Sequence, residues 1–269
     1  MKKLWIVTEL FYPEETSTAF ILTKIANALS DKFDVNVICG PESYCRAALE
    51  DNPSTKLSLD GRIKIHRVSN CNLNKDKIFT RLLRFLIIGF KLSFSLWKNA
   101  KKQDRVFIVT NPAPLLISVA LIKRIKKFPL YILVHDVFPE NTIPAGVISS
   151  DKTFGYKLLR KCFNWAYKSA DCLIVLGRDM RQIMKSKLGK NQNNTKIEII
   201  ENWAENDITQ LNPVNKSKNI VIQYAGNIGR VQGLKSFIQQ YAEAMNPIVS
   251  LELWGDGAMR KELEEYAKE

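Results

Sequence analysis

The sequence has no long apolar run. After Lys2 and Lys3 the first such stretch is residues 4–7, and in the richest region, 79–102, the longest uncharged runs are 85–90 and 92–97. Spanning a bilayer takes about 20 apolar residues, so none of these can cross one, and residues 4–7 are too few for a secretory-signal core. They read as a strand instead. Cys39, Cys45, Cys71, Cys162 and Cys172 are odd in number with no C-x-x-C among them. They point to neither a disulfide framework nor a zinc knuckle, and fit a reducing cytoplasm. Histidine is scarce, with only His66 and His135. No G-x-G-x-x-G follows the first strand, which argues against a dinucleotide-dependent oxidoreductase. No paired carboxylates stand out that would compel a covalent intermediate.

Acidic residues are also short, 27 against 40 Lys and Arg in 269 residues, for a net charge of +13. The imbalance is local. From residue 219 onward the net is −2, so the first 218 residues carry +15. Such a region suits a polyanion or an anionic membrane surface, though solvated lysine gives the same count. No aromatic-basic recognition motif accompanies the charge, so nucleic acid is not the expected partner. The length predicts two domains, and a hydrophobic fraction of 46% with mean hydropathy near zero predicts ample core.

Short β-rich segments recur at 4–8, 35–39, 63–68, 105–110, 130–135, 171–176 and 197–200, with helical patterns at 19–29, 115–127, 154–169 and 179–187. Strands alternating with helices predict an α/β fold, a parallel sheet with helices on both faces and ligands beyond the carboxyl ends of its strands. A polar stretch with Pro213, residues 206–218, reads as a linker between a domain at 1–205 and a second at 219–269. The second part holds two strands and two helices, marginal as an independent core.

Region 79–102 reads as one amphipathic helix. Arg84, Lys91 and Lys98 fall at seven-residue spacing and Arg81 joins them one turn earlier, beside an apolar surface that includes Trp97. An in-plane helix at an anionic membrane has this pattern, as does a helix packed on a sheet; the charge asymmetry favours the membrane.

Residues 221–234 read V-I-Q-Y-A-G-N-I-G-R-V-Q-G-L, a strand that breaks at Gly226, Gly229 and Gly233 and restarts as a helix. Backbone N–H groups at such a turn, with the positive end of the helix dipole, suit a phosphate; a plain strand-to-helix turn needs the same glycines.

Four more segments join this one in order: F-Y-P-E at 11–14, D-V-F-P-E at 136–140, I-E-N-W at 200–203 and L-W-G-D-G-A-M-R-K-E-L at 253–263. With all five in register the chain resembles the family 4 retaining glycosyltransferases of the GT-B fold, in the branch that builds capsular polysaccharide, colanic acid and O-antigen. The resemblance implies two Rossmann-like domains with parallel sheets. The first holds a polyprenyl-diphosphate-linked saccharide acceptor and the second a nucleotide-sugar, without metal or cofactor, at the inner face of the plasma membrane. It places Tyr12, Glu14, Thr16 and Glu140 on the acceptor side, His135 against the transferred sugar with Asp136 in the same cleft, and Asn202, Gly226, Asn227, Gly229, Gln232 and Gly233 around the donor. Asn227 and Gln232 stand where many relatives carry Arg and Lys, so Arg230 is the expected diphosphate cation. The family's later Glu-x7-Glu motif is not reached by Glu269. The second domain is therefore expected to be truncated, or completed by a partner chain.

Overall fold

The computed structural model describes residues 1–14, 16–42, 58–69, 78–189, 195–203 and 219–268, except for the side chains of 78, 79, 81 and 82. They form two compact units, Met1–Pro139 with Lys152–Asn202, and Glu140–Asp151 with Trp203–Glu269. The division follows Asn202 instead of residue 205, and residues 140–151 group with the second unit. The expected linker 206–218 lies outside the described residues.

In the first unit, strands β1 (Lys3–Val7), β2 (Asp34–Cys39), β3 (Lys64–Arg67), β4 (Arg105–Val109), β5 (Leu130–Val134), β6 (Cys172–Val175) and β7 (Lys196–Ile199) form one parallel sheet in the order β3-β2-β1-β4-β5-β6-β7. Parallel neighbours need crossovers, and the described helices supply them: α1 (Ser17–Leu29), α2 (Ile78–Asn99), α3 (Ala113–Lys126), α4 (Phe154–Lys168) and α5 (Arg178–Leu188). Side chains alternate across the pleat. Trp5, Val7, Ile108, Ile132 and Leu173 pack with α2 to α5, whereas Leu4, Ile6, Val37, Phe107 and Leu133 pack on the other face with Leu22 and Ala26 of α1. Both faces are covered, as the near-continuous apolar strands require.

Local signals set the helix ends. The Thr16 side chain accepts from Ala19 N at 3.2 Å and opens α1. A proline stands in the first turn of α3, where its missing N–H costs nothing. That helix closes on Lys127 in a left-handed turn, its N–H bonded to Lys123 O at 2.7 Å. Helices α2 and α3 approach closely: Ser93 and Ser118 hydroxyls lie 2.5 Å apart, and Lys126 Nζ donates to Ala100 O at 2.7 Å and to Trp97 O.

The second unit has strands β8 (Ile220–Ala225) and β9 (Val249–Trp254), paired in parallel, and helices α6 (Leu234–Ala244) and α7 (Arg260–Tyr266). Its buried core is Ile228, Leu234 and Leu263. Ile220, Val221, Ile222 and Trp254 are exposed, so this sheet is covered far less than the first.

Candidate functional site

Strand order in the first sheet reverses between β1 and β4, the switch point where open α/β sheets take their ligands. Three loops leave the carboxyl ends of β1, β4 and β5 here, each with a cis X-Pro bond: Tyr12-Pro13, Asn111-Pro112 and Phe138-Pro139. Thr110, buried at the end of β4, accepts at Oγ1 from the backbone N–H of His135 at 3.1 Å and of Asp136 at 2.9 Å. It thereby sets the turn that carries both residues. The His135 ring is half-buried, and its Nε2 is buried with no hydrogen-bond partner among the described residues. Burial pushes its pKa down, Asp136 opposing, so the imidazole is neutral at pH 7. A neutral imidazole with one uncommitted nitrogen can donate to, or accept from, a sugar hydroxyl.

On the β1 loop, Glu14 is buried, its N–H bonded to Phe11 O, and Tyr12 packs half-buried against the α1-side core. Thr16 serves as the cap of α1. Arg67, the last residue of β3, donates to Tyr12 O at 2.5 Å and to Gly40 O at 3.2 Å, fixing that loop to the neighbouring strand end. Glu9 also leaves β1 here. Burial raises its carboxyl pKa, and Arg84 of α2, with NH2 at 3.9 Å, pulls it back down. Arg84 Nε is buried without a partner among the described residues. Sequence reasoning missed Glu9, Arg67 and Thr110, although Glu9 and Thr110 each stand within two residues of a strand's carboxyl end.

Arg84, expected on the membrane side of this helix, stands 3.9 Å from Glu9. Lys91 is tied to Ser69 at the surface, its Nζ donating to Ser69 Oγ at 2.9 Å and to Ser69 O at 3.1 Å. The side chain of Arg81 lies outside the described set. The outward face of α2 is instead apolar: Leu83, Leu86, Phe90, Phe94 and Trp97 are all exposed, Phe90 at 69%. Lys98 remains on its border, 4.8 Å from the Phe94 ring.

In the second unit the glycine turn follows β8 as the sequence reads. A 3-10 turn, Arg230–Gln232, separates Gly229 from Gly233, and no side chain caps α6. The turn is pressed against the one after β9. A Cβ on Gly255 would stand 1.8 Å from Gly226 O, and one on Gly257 would stand 2.3 Å from Ile228 O, so only glycine fits. Ile228 N bonds to Asp256 O at 2.8 Å and Gly226 N to Trp254 O at 2.9 Å. The side-chain amides of Asn227 and Gln232 converge over Gly229. Arg230 is exposed, without an ion pair among the described residues, and its NH1 lies beside Gly146 of the 140–151 segment. Glu140 opens that segment in a short 3-10 turn. Asn202 ends the first unit as an exposed residue beyond β7.

Fold and site define a doubly wound α/β protein with polar loops gathered beyond the carboxyl ends of its strands, followed by a second α/β unit with a glycine turn between strand and helix. Comparison with known proteins names the class. The family model for Glycosyltransferase Family 4 matches residues 21–207. A probable glycosyltransferase, WbjE of Pseudomonas aeruginosa, is 32% identical over the whole chain, which spans 66% of that relative's length. Among solved structures, Alr3699/HepE of Anabaena in complex with UDP is similar with a TM-score of 0.60 at 16% identity, over 100% of this chain and 65% of that one. WaaG, a glycosyltransferase involved in lipopolysaccharide biosynthesis, is similar with a TM-score of 0.57 at 14% identity, over 98% of this chain and 66% of that one. The chain belongs to glycosyltransferase family 4, and its fold is that of the GT-B glycosyltransferases.

Proposed function

We propose that the protein transfers a sugar, with retention, from a nucleotide-sugar to a polyprenyl-diphosphate-linked saccharide in the assembly of a bacterial surface polysaccharide. The observation that carries this reading is the exposed Arg230 guanidinium on the glycine turn, unpaired among the described residues, next to an uncapped helix start. A departing nucleoside diphosphate gains charge as the glycosidic bond breaks. A fixed cation and aimed N–H groups therefore stabilise the transition state more than the ground state. Neutral His135 meets a hydroxyl of the transferred sugar, and Asp136 orients that encounter. Asn227, Gln232 and the turn glycines hold the donor, while Tyr12, Glu14 and Glu140 bound the acceptor. Arg84 beside Glu9 is an anchor for the acceptor diphosphate. The departing phosphate itself takes the acceptor proton, on the face from which it leaves. The relatives support the donor class, since HepE was solved with UDP and with UDP-glucose.

Anionic lipid is the proposed surface partner, supported by the apolar face of α2 and the +15 of residues 1–218. That places the enzyme at the inner side of the plasma membrane. No helix among the described residues is long and apolar enough to cross a membrane.

The test is transfer from a radiolabelled nucleotide-sugar by the protein extended to its relatives' full length. Arg230→Ala is expected to lower kcat by about 10²–10³-fold, the usual cost of losing one transition-state donor, with an unchanged circular dichroism spectrum. Undiminished turnover removes Arg230 from the site. A second reading rests on the exposed second sheet: a module that binds acceptor and membrane while a partner chain supplies the rest of the donor site. Calorimetry of the 269-residue chain with UDP and GDP separates the two, because that module gives no saturable heat.

A further inference from the structure

The first unit has a second recess, at the end of the sheet opposite the loops of the candidate site. It is a cleft of about 440 Å³ where α3 and α4 end and β5 begins. Phe128, Pro129 and Trp165 wall it with apolar surface, and Lys123, Arg124 and Lys127 stand on its α3 side. Lys123 is already matched: its Nζ donates to Asp171 Oδ2, which also accepts from Leu130 N at 2.7 Å. The side chains of Arg124 and Lys127 are exposed and make no hydrogen bond or ion pair among the described residues. Cations at the end of α3 complement its dipole, but that role does not call for an apolar cleft between them and α4.

We propose that this cleft takes the phosphate headgroup of an anionic lipid, with Arg124 and Lys127 on the phosphate and Trp165 and Pro129 against the upper part of the chain. A small hydrophilic phosphate would leave the aromatic wall unused. An amphiphile uses both, in the way that aromatic and basic side chains divide a membrane interface. The outer surface of the same helices matches: Leu121 and Ile125 of α3 are exposed, as are Leu158 and Phe154 of α4, the last at 83%. The inference rests on the membrane-docking part of the proposed function and gives it a specific contact, independent of sugar transfer.

The test is sedimentation of the whole chain with phosphatidylglycerol and phosphatidylcholine vesicles, and with inorganic phosphate as a soluble competitor. Arg124→Ala/Lys127→Ala is expected to weaken partition to anionic vesicles about 30-fold, from roughly fivefold per cation near the surface. Ser169→Phe fills the cleft without changing charge and is expected to weaken it at least about fivefold by excluding the headgroup. Lys24→Ala/Lys32→Ala, which removes equal charge from the α1 face, serves as the control and changes partition by less than the α3 pair. Circular dichroism verifies that each variant folds. If the parent pellets with anionic vesicles while Ser169→Phe matches it and the two charge pairs weaken it equally, the cations act only as diffuse charge and the cleft assignment falls. A parent that binds no vesicle overturns docking itself, and the lipid site with it. Saturable competition by millimolar inorganic phosphate, with neutral and anionic vesicles bound alike, assigns the cleft to free phosphate and overturns the lipid.

Discussion

His135 stores more physical information than its neighbours because its environment opposes its charge. Burial lowers its pKa from the ordinary value of 6.5, and burial with Lys3 and Lys64 nearby does the same for His66. As pH falls, the unfolded chain takes up these protons first. The histidine contribution to stability is therefore fully present above about pH 6.5 and lost as pH drops below it toward the depressed folded values. The urea midpoint should fall between pH 7.5 and pH 5.5. His135→Gln should flatten that fall more than His66→Gln does, because His135 is the more enclosed ring. A midpoint constant across this window would mean that His135 charges freely in the fold. Glu9 acts in the opposite sense at lower pH, since its raised carboxyl pKa favours the folded state as acid neutralises it. Keeping the titration above pH 5.5 limits that overlap. On the proposed role of His135, a hydroxyl contact that needs neutral imidazole should hold kcat level above the folded pKa and lose it below.

Among the elements, the α2–α3 pair shows what determines helix position. Gly89 lies inside α2, where glycine costs about 1 kcal/mol relative to alanine. A Cβ there would stand 3.2 Å from the Pro114 side chain, closer than ordinary contact. Gly89→Ala should therefore come out near neutral, its propensity gain offset by a small displacement. Gly89→Leu should push α3 away and lose about 1–3 kcal/mol in urea unfolding; a leucine variant as stable as the parent would mean the helices do not meet there. The sequence could not announce this contact, because it depends on register between helices that begin 35 residues apart. The strands were legible to within a residue or two because short β-branched runs flanked by turn residues leave little choice of length. The heptad spacing of Arg84, Lys91 and Lys98 is local to one helix, whereas the partners of the first two, Glu9 and Ser69, come from other parts of the chain and cannot be read from that spacing. At the site, the glycine turn was visible in the sequence since its geometry is local. Thr110, which holds His135 and Asp136 from the adjacent strand, becomes visible only through sheet order.

At the scale of the molecule, the two units differ in how much holds each together. Among the described residues, the first has seven strands with both faces packed, whereas the second has two strands and three buried core side chains, with Ile220 and Trp254 at 55% and 60% exposure. Parallel sheets depend on cover over both faces, and two strands alone are marginal. Opening β8 and β9 should therefore cost less free energy than opening β1, β4 or β5. In native-state hydrogen exchange of the 269-residue chain, protection in β8 and β9 should be lower by roughly a factor of 100 or more, the difference between subglobal and global opening. Equal protection would mean that the second sheet is stabilised as well as the first. The same measurement bears on the glycine turn. A ligand that binds only the folded form adds RT ln(1 + [L]/Kd), about 2.7 kcal/mol at one hundred times Kd. If the proposed donor site holds UDP, that excess should slow exchange in β8, β9 and the start of α6 by about a hundredfold and leave β1, β4 and β5 unchanged; equal exchange with and without UDP would remove the turn and Arg230 from the donor site.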